Sequence, residues 1–234
     1  MSRPGTPEDV EAKTRFMDHY FDASLERVAS LEKLAAQGRG IESLTLSLVY
    51  LDQYSQLLSW PKDKTRKMRK TGQNFVETLC SYDETGLLSL VHPLQLIEAF
   101  DGMRGPWPSR ARTLEKRYSG PPYSLMSRTD VSNAIHGMFR SNEVVATVQE
   151  LWRGTIAAIV YYWMRNRSVH GYGGSQRITF EETHLNGSPA PSLSLHDLLP
   201  PLKAMIGEAR KRSIDRCEWF GDDDILFLGQ HKLN

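Results

Sequence analysis

The chain has 234 residues, of which 40% are hydrophobic and 24% charged, a composition typical of a globular protein long enough to bury a core. Its formal net charge of +1 gives no global attraction to nucleic acid or to an acidic partner, so a nucleic-acid site has to come from local clusters of charge. The two cysteines, Cys80 and Cys217, form no CxxC motif, which favours a reducing compartment.

No secretory or membrane segment is expected from the sequence. The N-terminal stretch MSRPGTPEDV lacks the apolar centre of a secretory signal. The longest apolar stretch, TIAAIVYYWM at residues 155–164, has ten residues, whereas a membrane span needs about 20. We therefore expect a soluble, cytoplasmic protein without a membrane partner.

Three helices are predicted in the first part of the chain. The first covers residues 6–38, with Thr6 as its cap and Pro7 at its first helical position. The second covers residues 41–60 and has apolar residues on almost all faces, which predicts a central core helix. The third is an amphipathic segment at about residues 67–82.

A basic segment, KDKTRKMRK at residues 62–70, precedes the third helix and has six basic residues among nine. Clustered lysine and arginine can follow an RNA backbone, so Lys67, Arg69 and Lys70 are candidate phosphate contacts. The alternative is a solvated loop and helix start.

The middle of the chain predicts a short helix at residues 87–100, followed by Pro/Gly-rich surface connections at 101–112 and 118–125. A long helix is then predicted from Ser141, with Ser141 or Asn142 as its cap, to at least Asn166. The prediction of this helix is based on an apolar stripe at helical spacing, formed by Val145, Val148, Trp152, Ile156, Ile159 and Trp163.

The last part of the chain predicts a small β-hairpin and one more helix. Weak alternation around Asn186 and Gly187 indicates the hairpin, at about residues 176–195. Ser194 is a candidate cap for the last long helix, which ends in basic residues. Residues 216–234 are expected to form an arm that packs back on the rest.

The stretch MRNRSVHGYG, residues 164–173, follows the most apolar run and ends in glycines. Arg165 and His170 are five residues apart, about 140° on a straight helix, so they converge only if the helix ends or bends or if a second chain contributes. Histidine can move a proton near neutral pH, and arginine offers a fork of donors to phosphate oxygens. These residue types could cleave RNA without a metal, whereas the alternative is a polar helix C-terminus whose charge suits the helix dipole.

In this stretch Arg165-Asn166 is followed by three residues and then by His170-Gly171-Tyr172. The pattern resembles the R-x4–6-H motif of HEPN domains (higher eukaryotes and prokaryotes nucleotide-binding). The resemblance implies an all-α bundle that forms homodimers, with the motif near a helix end and facing its two-fold mate. Many members are metal-independent ribonucleases of toxin–antitoxin or antiphage systems, and others only bind. Tyr172 matches the tyrosine that a nucleotidyltransferase antitoxin adenylylates in the R-x4-H-x-Y form of the motif.

Taken with the resemblance, the helical pattern predicts a mainly α, HEPN-like bundle with the small hairpin inserted before the last long helix. All 234 residues are expected to form a single domain. Its parts are an N-terminal helix at 6–38, a core at 40–215 that contains the hairpin at about 176–195, and a C-terminal arm at 216–234.

The expected function is that of an endoribonuclease acting on RNA through attack of a 2′-hydroxyl, which yields a cyclic phosphate. His170 would be the acid/base, Arg165 the phosphate clamp and Asn166 the orienting amide, with no metal and no cofactor. Arg167 is either a second phosphate contact or a solvated charge, and Tyr172 is either an RNA or modification site or a packed loop residue. The alternative function is a non-catalytic module that binds a nucleotide, RNA or a partner, and in both cases the long apolar helix could serve as the dimer seam.

Overall fold

The computed structural model describes residues 7–59, 71–118, 125–165, 184–185, 188–189 and 193–216. Over these ranges the chain is mainly helical, which confirms the predicted mainly α class. The helices are α1 Pro7–Ala36, α2 Gly40–Ser59, α3 Thr71–Ser81, α4 Pro93–Asp101, α5 Trp107–Tyr118, α6 Arg128–Met138, α7 Ser141–Gln149, α8 Ile156–Ile159 and α9 Leu195–Arg216. Turns of 3-10 helix cover Leu87–Ser89 and Leu151–Gly154, and a π-helical turn, Val160–Arg165, continues α8.

The two N-terminal helices and α9 pack against one another, and α3 packs against α2. Their shared core consists mainly of aliphatic and aromatic side chains, among them Met17, Phe21, Val28, Leu48, Leu51, Leu202 and Ile206. At the edge of this core Arg210 of α9 donates to Asp18 and Asp22 of α1, with N–O distances of 2.8 and 2.7 Å. The predicted first and last helices are therefore confirmed. They pack against each other through their apolar faces.

Helix α2 begins and ends within a residue of its predicted limits, after a turn in which Gly38 has a φ of 80° that favours glycine. The expectation of a central core helix is wrong in part. Leu46 and Val49 lie on its solvent-facing side and are 42% and 43% exposed. A distribution of apolar residues around the whole helix thus predicts more burial than the structure has, because a helix at the side of a bundle keeps one face in water.

The predicted surface connection at residues 101–112 is wrong in its second half, because residues 107–112 belong to helix α5. Pro108 stands in the first turn, where a missing backbone N–H costs no hydrogen bond. The Trp107 ring packs against Phe100 of α4, with 4.8 Å between the ring centroids. Packing of an aromatic pair between the two helices therefore outweighs the Pro/Gly-rich composition of the segment.

The predicted helix from Ser141 to at least Asn166 is also wrong as one continuous element. It is divided into α7 and α8 by the 3-10 turn and by Thr155, whose backbone is extended. A methyl group on Gly154 would lie 2.7 Å from Cβ of Leu96 and 3.0 Å from Cγ1 of Val91. This close approach places the turn directly on the segment that begins α4.

The break changes which residues of the predicted stripe are buried. Trp152, Ile156 and Ile159 are buried, as predicted, but Val145 is 62% exposed and Val144 is buried in its place. The cap of α7 is also shifted, since the helix starts at Ser141 after a non-helical Arg140.

The predicted hairpin at about 176–195 lies mostly outside the described residues and stays a prediction. Two short antiparallel strands, β1 His184–Leu185 and β2 Ser188–Pro189, pair with His184 opposite Pro189 and Leu185 opposite Ser188. Ser194 directly precedes α9, as predicted, but its backbone N–H and its hydroxyl both donate to Asp197 Oδ2, at 2.6 and 2.8 Å, so the Asp197 carboxylate rather than the serine oxygen is the acceptor at this helix start. The expected arm at 216–234 lies, except for Arg216, outside the described residues.

We expect Gly154→Ala to lower the free energy of unfolding by about 2 kcal/mol, because the added methyl group overpacks against a Cβ that is fixed to the backbone. Gly207→Ala, in the exposed middle of α9 with nothing within 4 Å, is the control and should raise it by about 0.5–1 kcal/mol. Urea unfolding followed by circular dichroism measures both. Equal effects of the two substitutions would contradict the close packing at Gly154.

Candidate functional site

The start of α8 is fixed by backbone pairing rather than by helix propensity. Val91 exchanges two hydrogen bonds with Met126, at 2.8 and 3.0 Å, and it also lies opposite Thr155 in an antiparallel bridge. The Thr155 hydroxyl accepts from the backbone N–H of Ala158 at 3.1 Å and so caps α8. Three segments distant in the sequence therefore meet at the residue where the apolar helix begins.

The apolar helix itself is buried within one chain. Residues 156–160 are all at most 1% exposed, and α8 packs against α3 and the turn at Leu87–Ser89. The side chains of residues 156–160 contact the core of their own chain, and a dimer seam along the long apolar helix stays a prediction. Its role is to hold the backbone that leads to Arg165.

After residue 159 the helix widens into the π-helical turn that ends at Arg165. Such turns are rare and are frequent at functional sites. Tyr161 lies in this turn and packs against Phe75 of α3, with 5.2 Å between ring centroids. Gly72 makes room for it, because a methyl group there would lie 2.7 Å from the Tyr161 ring.

A second group of side chains joins the π-helical turn to the 3-10 turn before α8. Tyr162 stacks on Trp152 at 6.4 Å between ring centroids, and the Arg153 guanidinium lies 4.4 Å from the centroid of the same indole. Glu150 forms an ion pair with Arg153. Burial raises the pKa of the Tyr162 hydroxyl above its ordinary value, so this tyrosine stays protonated at neutral pH.

The structure describes only one of the predicted catalytic residues, and only its backbone. Arg165 is the last residue of the π-helical turn. The other predicted site residues lie outside the described residues, namely Asn166, Arg167, His170, Tyr172, Lys67, Arg69 and Lys70. Whether Arg165 and His170 converge therefore stays a prediction.

A cavity of about 390 Å³ was not predicted from the sequence and lies between α3, α6 and the turn that follows α7. Arg128, at the first position of α6, lines it and donates to Cys80 Sγ at 3.5 Å, its one side-chain hydrogen bond to described residues. Trp152 lines it too. Burial raises the pKa of the Cys80 thiol, which makes this cysteine a poor nucleophile at neutral pH.

A second arginine missed by the sequence analysis is Arg110 of α5, which is only 7% exposed. Its Nε and Nη1 meet no acceptor in the described part of the chain, and its guanidinium lies 4.5 Å from the centroid of the Trp107 ring. No sequence signal separates it from Arg112, which is exposed two positions later.

No group of three or more His, Cys, Asp or Glu side chains that could hold a metal ion is present among the residues that the structure describes. Within the same described ranges, every helix is too short or too polar to cross a membrane.

Comparison with known proteins gives no match for the chain. No protein-family model, no curated protein and no solved structure matches it. A function therefore has to be argued from the chain itself.

We expect Arg110→Met to raise the free energy of unfolding by about 1 kcal/mol, because a buried charge without an acceptor is replaced by an apolar chain of similar length. The exposed Arg112→Met is the matched control and should change it by less than about 0.5 kcal/mol. Urea unfolding provides the measurement. A loss of stability in Arg110→Met would show that the contact with Trp107 outweighs the cost of burying the charge.

Proposed function

We propose that the chain is a metal-independent endoribonuclease of the HEPN type that acts as a toxin or in antiphage defence. The observation that carries the proposal is the position of Arg165. A buried apolar helix, fixed at its start by backbone pairing, leads to this arginine through a π-helical turn. Asn166 and His170 follow at the spacing that the R-x4–6-H motif requires.

The mainly helical fold supports the finer proposal of a HEPN-like bundle with a small hairpin before α9. The π-helical turn supports it as well, because such turns are frequent at functional sites and this one ends at Arg165. A homodimer would bring two Arg165/His170 sets to one cleft, as in the family that the motif resembles.

In the proposed reaction the 2′-hydroxyl of a ribose attacks the adjacent phosphorus, and the bond from phosphorus to the 5′-oxygen breaks. The products are a 2′,3′-cyclic phosphate and a 5′-hydroxyl. His170 exchanges the proton with the attacking or the leaving oxygen, and Arg165 binds the charged phosphorane. Asn166 orients one of these two side chains, and Tyr172 is the residue that a nucleotidyltransferase partner would modify.

Incubation of the purified protein with end-labelled RNA in the presence of a chelator tests this proposal. We expect cleavage that falls by about 100-fold or more in His170→Ala and in Arg165→Ala, because each variant lacks a group that acts in the transition state. His136→Ala, an exposed histidine of α6, and Arg117→Ala, an exposed arginine of α5, are the controls and should cleave normally. Undiminished cleavage by His170→Ala would refute the proposal, and RNA binding without products would favour a binding module instead.

The basic segment at 62–70 is proposed to contact the RNA backbone. Replacing Lys67, Arg69 and Lys70 by glutamine should reduce the slope of log K against log salt by about 0.7 for each phosphate that is no longer neutralised, hence by about 2 in total. The matched control replaces three exposed basic residues of α5, Arg112, Lys116 and Arg117. Fluorescence anisotropy of single-stranded RNA over a range of salt measures the slope, and an equal change in both triple variants would assign the effect to general charge.

A further inference from the structure

Four side chains join the π-helical turn that ends at Arg165 to the 3-10 turn that precedes α8. We name them the Trp152 cluster, which consists of Glu150, Trp152, Arg153 and Tyr162. Trp152 and Tyr162 come from opposite sides of the break in the helix at Thr155. Their rings nevertheless stack, with 6.4 Å between the centroids and 28° between the ring planes. The two turns are therefore joined by side chains as well as by the backbone of α8.

Arg153 interacts with every other member of the Trp152 cluster. Its guanidinium lies 4.4 Å from the centroid of the Trp152 ring, within the range of a cation–π contact. It forms an ion pair with Glu150, and the two side chains are only 14% and 28% exposed, so water and salt screen this pair less than an exposed one. Its positive charge also acts on the Tyr162 hydroxyl, where it opposes the rise in pKa that burial causes. Arg153 thus holds the indole on which Tyr162 stacks.

The π-helical turn depends on contacts of this kind, because π-helical hydrogen bonding is rare and the α-helical form is the common alternative. Inside the turn, Tyr161 and Tyr162 meet edge to face with 5.0 Å between the ring centroids. Tyr161 packs on Phe75 of α3 and Tyr162 on Trp152, so the turn is held from two sides. A change to α-helical pairing would move residue 165 around the helix axis, by about 100° for each residue that a turn gains or loses.

We propose that Arg153 is a positioning residue for Arg165 in the proposed RNA cleavage. By holding Trp152 against Tyr162 it fixes the π-helical turn, and the turn fixes the place from which Arg165 reaches the phosphate. A group that is held in place before the reaction stabilises the transition state without the cost of reorganisation. The inference rests on the proposed function, because that function gives Arg165 its role as phosphate clamp.

Hydrogen–deuterium exchange of the backbone amides at 160–165 tests whether Arg153 fixes the turn, with no reference to RNA. In Arg153→Met we expect about tenfold faster exchange there, because loss of the cation–π contact and of the ion pair lets the turn open more often. The exposed Arg112→Met is the matched control and should leave this exchange unchanged. Mass spectrometry of the whole protein provides the measurement, and circular dichroism checks that each variant folds.

A second pair of variants tests the same link from the tyrosine. Tyr162→Leu removes the stacked ring and should reproduce the faster exchange of Arg153→Met. Tyr162→Phe keeps a ring on Trp152 and should exchange within about threefold of the unaltered protein.

Cleavage kinetics then test whether Arg153 acts through Arg165. We expect Arg153→Met to lower kcat for end-labelled RNA about tenfold with KM unchanged, because a displaced Arg165 loses contacts that form in the transition state. In Arg165→Ala the same substitution should have no further effect, since the residue through which it acts is absent. A merely structural role of Arg153 would lower kcat equally in both backgrounds.

The outcomes separate this proposal from the proposed function. Unchanged exchange at 160–165 in Arg153→Met, or an equal loss of kcat in both backgrounds, would overturn the positioning role and leave the proposed function standing. Absence of cleavage by the unaltered protein would overturn the proposed function, and with it the role of Arg153 in cleavage, whatever the exchange shows.

Discussion

The pairing of Val91 with two distant segments is the constraint that joins the starts of α4, α6 and α8. Its backbone bonds to Met126 and its bridge to Thr155 hold the segment before α4, the segment before α6 and the start of α8 together. His92 adds a bond from its backbone N–H to the Gly154 carbonyl at 2.8 Å. These bonds satisfy backbone groups that would otherwise be buried without partners, which is why three segments can meet in the interior of a helical protein.

The elements differ in how well they could be predicted from the sequence. Helices α1, α2 and α9 follow from local signals, namely apolar spacing, capping residues and terminal glycines, and their limits agree with the predicted ones within a few residues. The division between α7 and α8 could not be predicted in this way. The spacing of apolar residues continues across it, and the reason for the break is the contact of Gly154 with Leu96, which lies 58 positions earlier. A packing contact of that kind has no local signature.

The candidate site residues also differ in how far they could be predicted from the sequence. Residue type, spacing and the resemblance to the R-x4–6-H motif predict Arg165 and His170 as a site, because the chemistry of RNA cleavage restricts which side chains can do it, and this site stays a prediction. Arg110 and Arg128 look in the sequence like any solvated arginine on a helix. What distinguishes them is that some of their nitrogens are buried without an acceptor, Nε and Nη1 of Arg110 and Nε of Arg128, and this depends on residues that pack against them from elsewhere in the chain. Sequence patterns predict chemical capability, whereas the number of unused donors emerges only from packing.

The anchoring of α8 bears on how an active site could form at Arg165. A catalytic group has to be held close to its productive position, and a rigid scaffold does this better than a loop. The five buried residues at 156–160 and the contact of Tyr161 with Phe75 fix the backbone up to the π-helical turn. Since residues 156–160 are buried, the convergence of Arg165 and His170 that we propose would depend on the part of the chain beyond this packed segment or on a second chain.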